Sequence, residues 1–509
     1  MKTATIAVLI LAVSLSGIAQ TSRRRTPASR GGARQSGIQM VLQKSQSPLV
    51  TFRILFNTGS ASDPQGKEGV AALTAAMLAQ GGSRALTYDQ IVTAMYPMAT
   101  SFDSQIDKEM TVFGGTTHVD NLSNYYQLIQ QMLLDPGFRD DDFTRLKTNA
   151  INFLKTNLRE NNDEELGKEE LYNIIYANHP YGHHNVGRLS ALESITLDDV
   201  RAFYHDNYTQ ANLVIGLAGN YPANFPQKIK ADFSKLPAGK ANTVKIPAPQ
   251  LEPGMHVEIV QRETRSTALS LGFPINVTRR DPDWPALAVV ASYFGEHRSS
   301  NSYLYQRLRE ARGLNYGDYS YIEYFPRGMF QFEPDPNLGR QQQIFQIWIR
   351  PVPPNQGMFA LRAALYEYDR LVRDGMSREA FEITRQYLTK HVNVLTQTQD
   401  ATLGYALDSR YYGIPNFNDY MRQRLASLTL EDVNRAIKKY LKSDNMRIVI
   451  ITRDGETLRN AIINNTSSPI SYNSPKPQTI MDEDRIIQDY RVNARPENVK
   501  VIPVDQVFQ

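Results

Sequence analysis

From residue 36 onward the apolar residues recur with two periods, and stretches of each period alternate along the chain. Alternation at every second position predicts half-buried strands, and spacing near 3.6 predicts amphipathic helices. Residues 38–43 and 49–56 are predicted strands, with Thr51 and Arg53 punctuating the second apolar run. Residues 110–116 and 211–218 give two more strands. Helices are expected over 119–134, 140–159, 164–177 and 196–206. The second half predicts a helix over 302–311 with Gly313 placed to cap it, then a tyrosine-rich strand over 315–324. A strand over 345–351 and helices over 358–373, 377–397 and 402–412 follow. The tail, 473–509, is rich in Pro, Asp and Asn and is expected to pack as an extended arm or to stay partly mobile.

This order repeats. Ser194-Ile-Thr-Leu-Asp-Asp-Val200 matches Ser427-Leu-Thr-Leu-Glu-Asp-Val433, and Asn212-Leu-Val-Ile matches Asn445-Met-Arg-Ile. Both pairs are 233 residues apart, so no gap separates the two matches. Each copy sets a Thr three residues before an Asp, Thr196/Asp199 and Thr429/Asp432, a capping-box-like helix start. Two matches in one register argue for duplicated domains, joined through the Pro- and Lys-rich stretch 236–253. The predicted organisation is a leader, 1–20; a basic linker, 21–35; an N-terminal domain, 36–240; a C-terminal domain, 250–460; and an arm, 461–509.

Composition narrows the function classes. The chain has 509 residues, 41% hydrophobic and 21% charged, as expected of a globular protein of several domains. A formal charge of +4 is too weak to argue for nucleic acid. Lys2 followed by an apolar run to Leu15, with small residues Gly17 and Ala19, resembles a cleavable export signal. No later run is long and apolar enough for a membrane helix. Arg23-Arg24-Arg25 is taken as a solvated tail rather than a membrane contact. Export without a single cysteine suits a bacterial periplasm, or the cell exterior, better than a disulfide-forming route.

Two stretches could carry chemistry. The first runs from Asn57 to Ser83: a loop with Gly59, Asp63, Pro64 and Gly66, then an Ala-rich helix that starts near Gly69 and stops at Gly81-Gly82. Ala72, Ala75 and Ala76 share one helix face. Two histidines at i and i+4 with a glutamate between them would make a zinc site there; three methyl groups cannot. The second is Leu308-Arg-Glu-Ala-Arg-Gly-Leu-Asn-Tyr316, at a helix-to-strand junction. His179-Pro-Tyr-Gly-His183-His184 also invites a metal reading.

The first stretch resembles the signature of the pitrilysin clan of zinc peptidases, which includes insulin-degrading enzyme and mitochondrial processing peptidase. Gly59-Ser60, Gly69-Val70-Ala71, Met77-Leu78 and Gly81 match its frame, while Ala72 and Ala76 stand for the histidines and Ala75 for the general-base glutamate. The third ligand of the clan falls near Asn152 and Phe153, where no carboxylate is adjacent. The second stretch resembles the second signature of the clan, with Arg309 and Tyr316 at its substrate-positioning residues. Arg307 and Arg312 are assigned to solvation or domain contacts. At His179-Pro-Tyr-Gly the resemblance implies a structural loop rather than a ligand site.

The resemblance implies an α+β fold. It implies two duplicated domains, each an antiparallel sheet packed with helices, facing each other across a chamber. It also implies a non-catalytic, substrate-binding subunit, inactive alone. That subunit would bind no cofactor itself and would pair with a related zinc-bearing peptidase subunit, lending Arg309 and Tyr316 to a peptide held at the partner's zinc. The alternative is a non-enzymatic peptide-binding or scaffold protein of the same fold. A lone peptidase with rebuilt zinc ligands is disfavoured, because no other histidine pair has zinc spacing beside a helical glutamate.

Overall fold

Strand β2 (Leu49–Phe56) carries the first sheet. Val50, Phe52, Ile54 and Phe56 alternate into the main core, while Leu55 faces the other way and packs against Met110, Val112, Val214 and Leu407. With β1 (Gln39–Lys44), β3 (Asp103–Ile106), β4 (Thr111–His118) and β5 (Leu213–Gly219), it forms a sheet of order β1-β5-β2-β4-β3. The second sheet holds β6 (Met255–Gln261), β7 (Thr267–Ile275), β8 (Gly317–Tyr321), β9 (Gln343–Val352), β10 (Arg447–Thr452) and β11 (Ala494–Pro503). Its order is β11-β6-β10-β7-β9-β8, the first sheet's order with one strand added at the edge.

The duplication therefore extends to the sheet topology, and the chain has the mixed α+β fold of two similar domains. The sheets are not purely antiparallel, however. β1 runs parallel to β5, and β6 runs parallel to both β10 and β11. In each domain the opening strand meets a strand that returns only after the whole helical layer, a long crossover that permits parallel pairing. Both repeat-marking threonines are capping boxes, Thr196 before Leu197–Asn207 and Thr429 before Leu430–Tyr440, each with its Asp reaching back to the cap.

This computed structural model describes residues 37–243 and 245–509, which form one unit; the expected leader and the basic segment 21–35 lie outside the described residues. The two domains exchange helices. Asp163–Ile175, from the first half, lies on the second sheet, and Gly167 allows the approach: a Cβ there would sit 3.1 Å from Ser270 Oγ and 3.4 Å from Ile451 Cγ1. The corresponding helix of the second half, Gln399–Tyr412, lies on the first sheet through Leu407. Charged residues of Asp163–Ile175 are paired across this junction. Tyr324 donates to Glu169 at 2.8 Å, Arg350 pairs with Glu164, and the Lys168 ammonium sits 3.8 Å from the centre of the Trp348 ring.

The tail is ordered. Helix Gln478–Ile487 and β11 pack on the second domain, and the chain then crosses to bury Val507 and Phe508 in the first domain's core. Among the described residues no helix is long and apolar enough to cross a membrane.

Candidate functional site

Helix Val70–Gln80 opens at Gly69, whose φ is +112°, and Asp63 caps it by accepting from Gly69 N at 2.7 Å and Ala71 N at 2.8 Å. Ala75 is buried in the main core and Ala76 packs against it, so these two positions of a zinc motif serve as helix packing, while Ala72 is half-buried outside that cluster. Asn152 ends a helix, and Phe153 opens a wider π-helical turn, Phe153–Glu160. The single helix expected over 140–159 is thus interrupted where the third ligand would stand. The Phe153 ring lies 5.7 Å from His184, and His184 lies 5.6 Å from Phe508. The tail is held there by Leu189 N, which donates to Phe508 O at 2.9 Å, and by Arg159, which donates to the Val507 carbonyl.

Zinc does not fit these residues. Methyl groups and a phenyl ring offer it no donor, and no cluster of three or more His, Cys, Asp or Glu side chains among the described residues could hold a metal. The histidine loop is drawn into packing and caps. His183 Nε2 lies 3.1 Å from Asp63 Oδ2, and His179 Nε2 lies 2.9 Å from Pro247 O. Burial, with the nearby Lys108 ammonium, pushes His183 down to about 2 and His184 down to about 3, so both rings are neutral near pH 7. Burial lifts Asp63 to about 7 against the two cap hydrogen bonds that favour its charged form.

A cavity of about 1630 Å³ lies between the domains. The first domain contributes β3, β4 and the π-helical turn; the second contributes Tyr324 to Phe330 and Leu338. β3 is the free edge of its sheet, a place where an extended peptide could add as a strand. Gly114 leaves the floor open, since a Cβ there would meet nothing nearer than Phe52 O at 3.7 Å. Its neighbour Gly115 points into the core, where a Cβ would strike the Tyr125 hydroxyl. Neither Ala72, Ala75 and Ala76 nor Arg309 and Tyr316 line this cavity.

Arg309 and Tyr316 do come together, in a second and smaller pocket. The expected helix over 302–311 is a short one that widens into a π-helical turn, Tyr305–Glu310. Gly313, at φ +67°, reverses the chain and donates to Arg309 O at 2.7 Å. Tyr316 precedes β8, which is shorter than the strand expected over 315–324. Arg309 Cζ lies 4.8 Å from the centres of both the Tyr305 and Tyr316 rings, and Nη1 donates to Tyr316 O at 3.2 Å. Tyr316 is 71% exposed. The pocket, about 260 Å³, is lined by Arg298, Ser300, Tyr305, Arg309, Tyr316 and Tyr319.

The scaffold of this junction is firm. Leu304 and Leu308 are fully buried, and Tyr303 donates to Glu367 at 2.7 Å. Arg307 and Arg312 are not solvating groups: Arg307 pairs with Glu367 at 2.7 Å, and the buried Arg312 pairs with Asp484 at 2.7 Å on the tail helix. They tie the junction to the rest of the second domain. Behind the pocket, Asp318 is fully buried, and burial pushes its carboxyl up to about 7. Asp318 Oδ2 and Asn315 Oδ1 have no hydrogen-bond partner. Sequence reasoning missed Arg298, Asn315 and Asp318. The dense run of polar residues on an otherwise buried strand, Asn315 to Ser320, was the available signal.

The comparisons with known proteins agree with the fold. A family model described as Insulinase (Peptidase family M16) matches residues 39–187, and one described as Peptidase M16 inactive domain matches residues 194–388. The chain is similar to the uncharacterized zinc protease YmxG of Bacillus subtilis (strain 168), 25% identical over 316 residues, 61% of this chain and 74% of that protein. It is similar to the non-peptidase homolog YmxG of Helicobacter pylori, 19% identical over 414 residues, 80% of this chain and 89% of that protein. A solved structure, the peptidase M16 inactive domain from Pseudomonas fluorescens, superposes with a TM-score of 0.70 at 25% identity, covering 82% of this chain and 95% of that one. The matched stretch spans 74%, 66% and 60% of the length of three curated zinc-protease relatives.

Proposed function

This chain belongs to the M16 peptidase family, and from that premise we propose that it is a non-catalytic, substrate-positioning subunit that works beside a zinc-bearing chain of the same family. One observation carries the reading. The metal positions are filled by packed apolar groups, while Arg309 and Tyr316 remain side by side on a rigid junction with Tyr316 open to solvent. A lost site would be expected to lose both halves.

The partner would hold the metal and a peptide. This chain would supply a fixed guanidinium and a phenol to polar atoms of that peptide, donors set in place before it arrives. Work on exported peptides outside the cytoplasm, in a periplasm or beyond the cell, belongs to the same proposal.

Affinity isolation of the full chain from its native source, followed by mass spectrometry, tests the partnership. The expected result is a stoichiometric second M16 chain with an intact His-x-x-Glu-His motif. Recovery of the chain alone would overturn it.

A second reading has its own support. The larger cavity, with the free edge of β3 in its wall, could hold a peptide without any help from Arg309 or Tyr316. The relative whose printed name is non-peptidase homolog fits such a role. In that case the chain is a peptide-binding or scaffold protein. Its partner's turnover, if there is one, would not respond to substitution at Arg309.

A further inference from the structure

Arg298 and Arg309 line the smaller pocket, and neither has a carboxylate within ion-pair distance among the described residues. This is unusual here, because the other arginines of the junction, Arg307 and Arg312, are both paired with acids. Arg298 spends one amino group on the Met329 carbonyl at 2.5 Å, and Arg309 one on the Tyr316 carbonyl at 3.2 Å. Each guanidinium has five N–H donors in a planar fork, so most remain free.

The remaining polar groups point to the same kind of ligand. The hydroxyls of Ser300, Tyr305, Tyr316 and Tyr319 have no hydrogen-bond partner among the described residues, and each can donate. None of the six lining residues is acidic. The pocket thus offers two positive charges and four free hydroxyls, with no acid among the residues that line it. The tyrosine rings beside Arg309 keep its guanidinium plane in place without neutralising it. Asp318, whose carboxyl feels the Arg309 charge, is buried behind the pocket, and burial raises it to about 7, so only about half of it is charged at neutral pH.

We propose that this pocket is a carboxylate receptor: it takes the carboxylate of a bound peptide, either its free C-terminus or an Asp or Glu side chain. Arg–carboxylate pairs are often bidentate, which fixes orientation as well as affinity. A volume of about 260 Å³ suits a chain end or one side chain rather than a folded surface. The proposal rests on the peptide-positioning reading of Arg309 and Tyr316. It adds Arg298 as a specificity-determining residue and names the group that is recognised.

The test is equilibrium binding of fluorescent peptides to the purified full chain, read by anisotropy. Three peptides share one neutral sequence: one with a free C-terminal acid, one amidated, and one amidated with a single internal Glu. The free acid, the Glu peptide or both should bind at least about tenfold more tightly than the plain amide, and the pattern tells which carboxylate is the source. Arg298→Gln should abolish that difference. Because Arg298 also holds the Met329 loop, the acid-to-amide comparison on the unaltered chain stands as an independent readout. Equal affinities for all three peptides, or no binding by any, would overturn the receptor. The assay contains no partner and no turnover, so its failure is distinct from failure of the heterodimer reading, which native isolation tests.

Discussion

Each of the duplicated domains carries one candidate junction, and the two have been treated in opposite ways. In the first domain the metal positions have relaxed into packing. Ala75 is buried in the core, and Phe153 and Phe508 flank a neutral His184. In the second domain the junction keeps features that cost stability. Asp318 Oδ2 and Asn315 Oδ1 are buried without partners, an arrangement that costs about 1–3 kcal/mol for each such group. Two arginines lack acids and Tyr316 is exposed. Selection for stability alone would tend to remove such features from a site that does nothing. Their persistence is the physical case that the second junction acts on something outside the chain.

The largest expected effect tests the first junction as packing. Phe508 is 2% exposed and bridges the tail to His184. Phe508→Ala should cost about 3–5 kcal/mol, the usual range for a buried phenylalanine. The denaturant midpoint should fall with an unchanged slope. Tyr316→Ala, by contrast, should stay within about 0.5 kcal/mol of the parent. Equal losses at both positions would erase the distinction between the junctions.

Next in size is turnover by the reconstituted pair. Arg309→Ala or Tyr316→Phe should lower cleavage of a quenched fluorescent peptide about a hundredfold, with assembly intact. Full activity in both variants would favour the scaffold reading, and a change in KM alone would point to uniform binding of ground and transition states.

How far the sequence disclosed these junctions depended on the range of the contacts involved. Strand Leu49–Phe56, the helix between Gly69 and Gly81 and the two Thr-Asp capping boxes were legible because their signals are local periods and short spacings. The pair Arg309 and Tyr316 was legible only through the family resemblance, whose second signature sets these residue types seven apart. β3 was not, because its four residues, Asp-Ser-Gln-Ile, form a polar edge with no period to detect. β11 and the burial of Phe508 were hidden as well. Phe508 meets His184 and Leu189 across more than three hundred positions, and nothing in the local text of a Pro-rich tail marks it as core. The exchange of helix Asp163–Ile175 was hidden in the same way, because the partners of its charges lie in the other domain.

A smaller effect concerns pH. Asp318 is raised from 3.8 to about 7 by burial, so its proton is held more tightly in the folded chain than in the unfolded one. Its contribution to stability is complete below pH 4 and is lost as pH rises through about 7. The slope from one such group is at most about 1.4 kcal/mol per pH unit. Asp63, also raised to about 7, contributes over the same window. The informative quantity is therefore the difference between the parent and Asp318→Asn. Denaturation curves at several pH values from 4 to 8 should show a shallower decline in the variant. Parallel curves would mean that the second junction carries no buried carboxyl strain.

The smallest expected effect is none at all, and it bears on the first junction. A ligand that binds only the folded state raises its stability by RT ln(1 + [L]/Kd). A tight zinc site, filled to a hundred times its Kd, would add about 2.7 kcal/mol, several degrees even in a large domain. With methyl groups at 72, 75 and 76 and a phenyl ring at 153, this chain has nothing to supply that term. Thermal unfolding of the purified chain should be the same with micromolar zinc, with a chelator and with neither, and elemental analysis should find no stoichiometric metal. Weak zinc binding by surface histidines would not imitate a site, because such groups bind the unfolded chain as well and the net shift stays small. One tightly held zinc per chain, lost together with stability on chelation, would show that the first junction is a metal centre and would undo the contrast with the second.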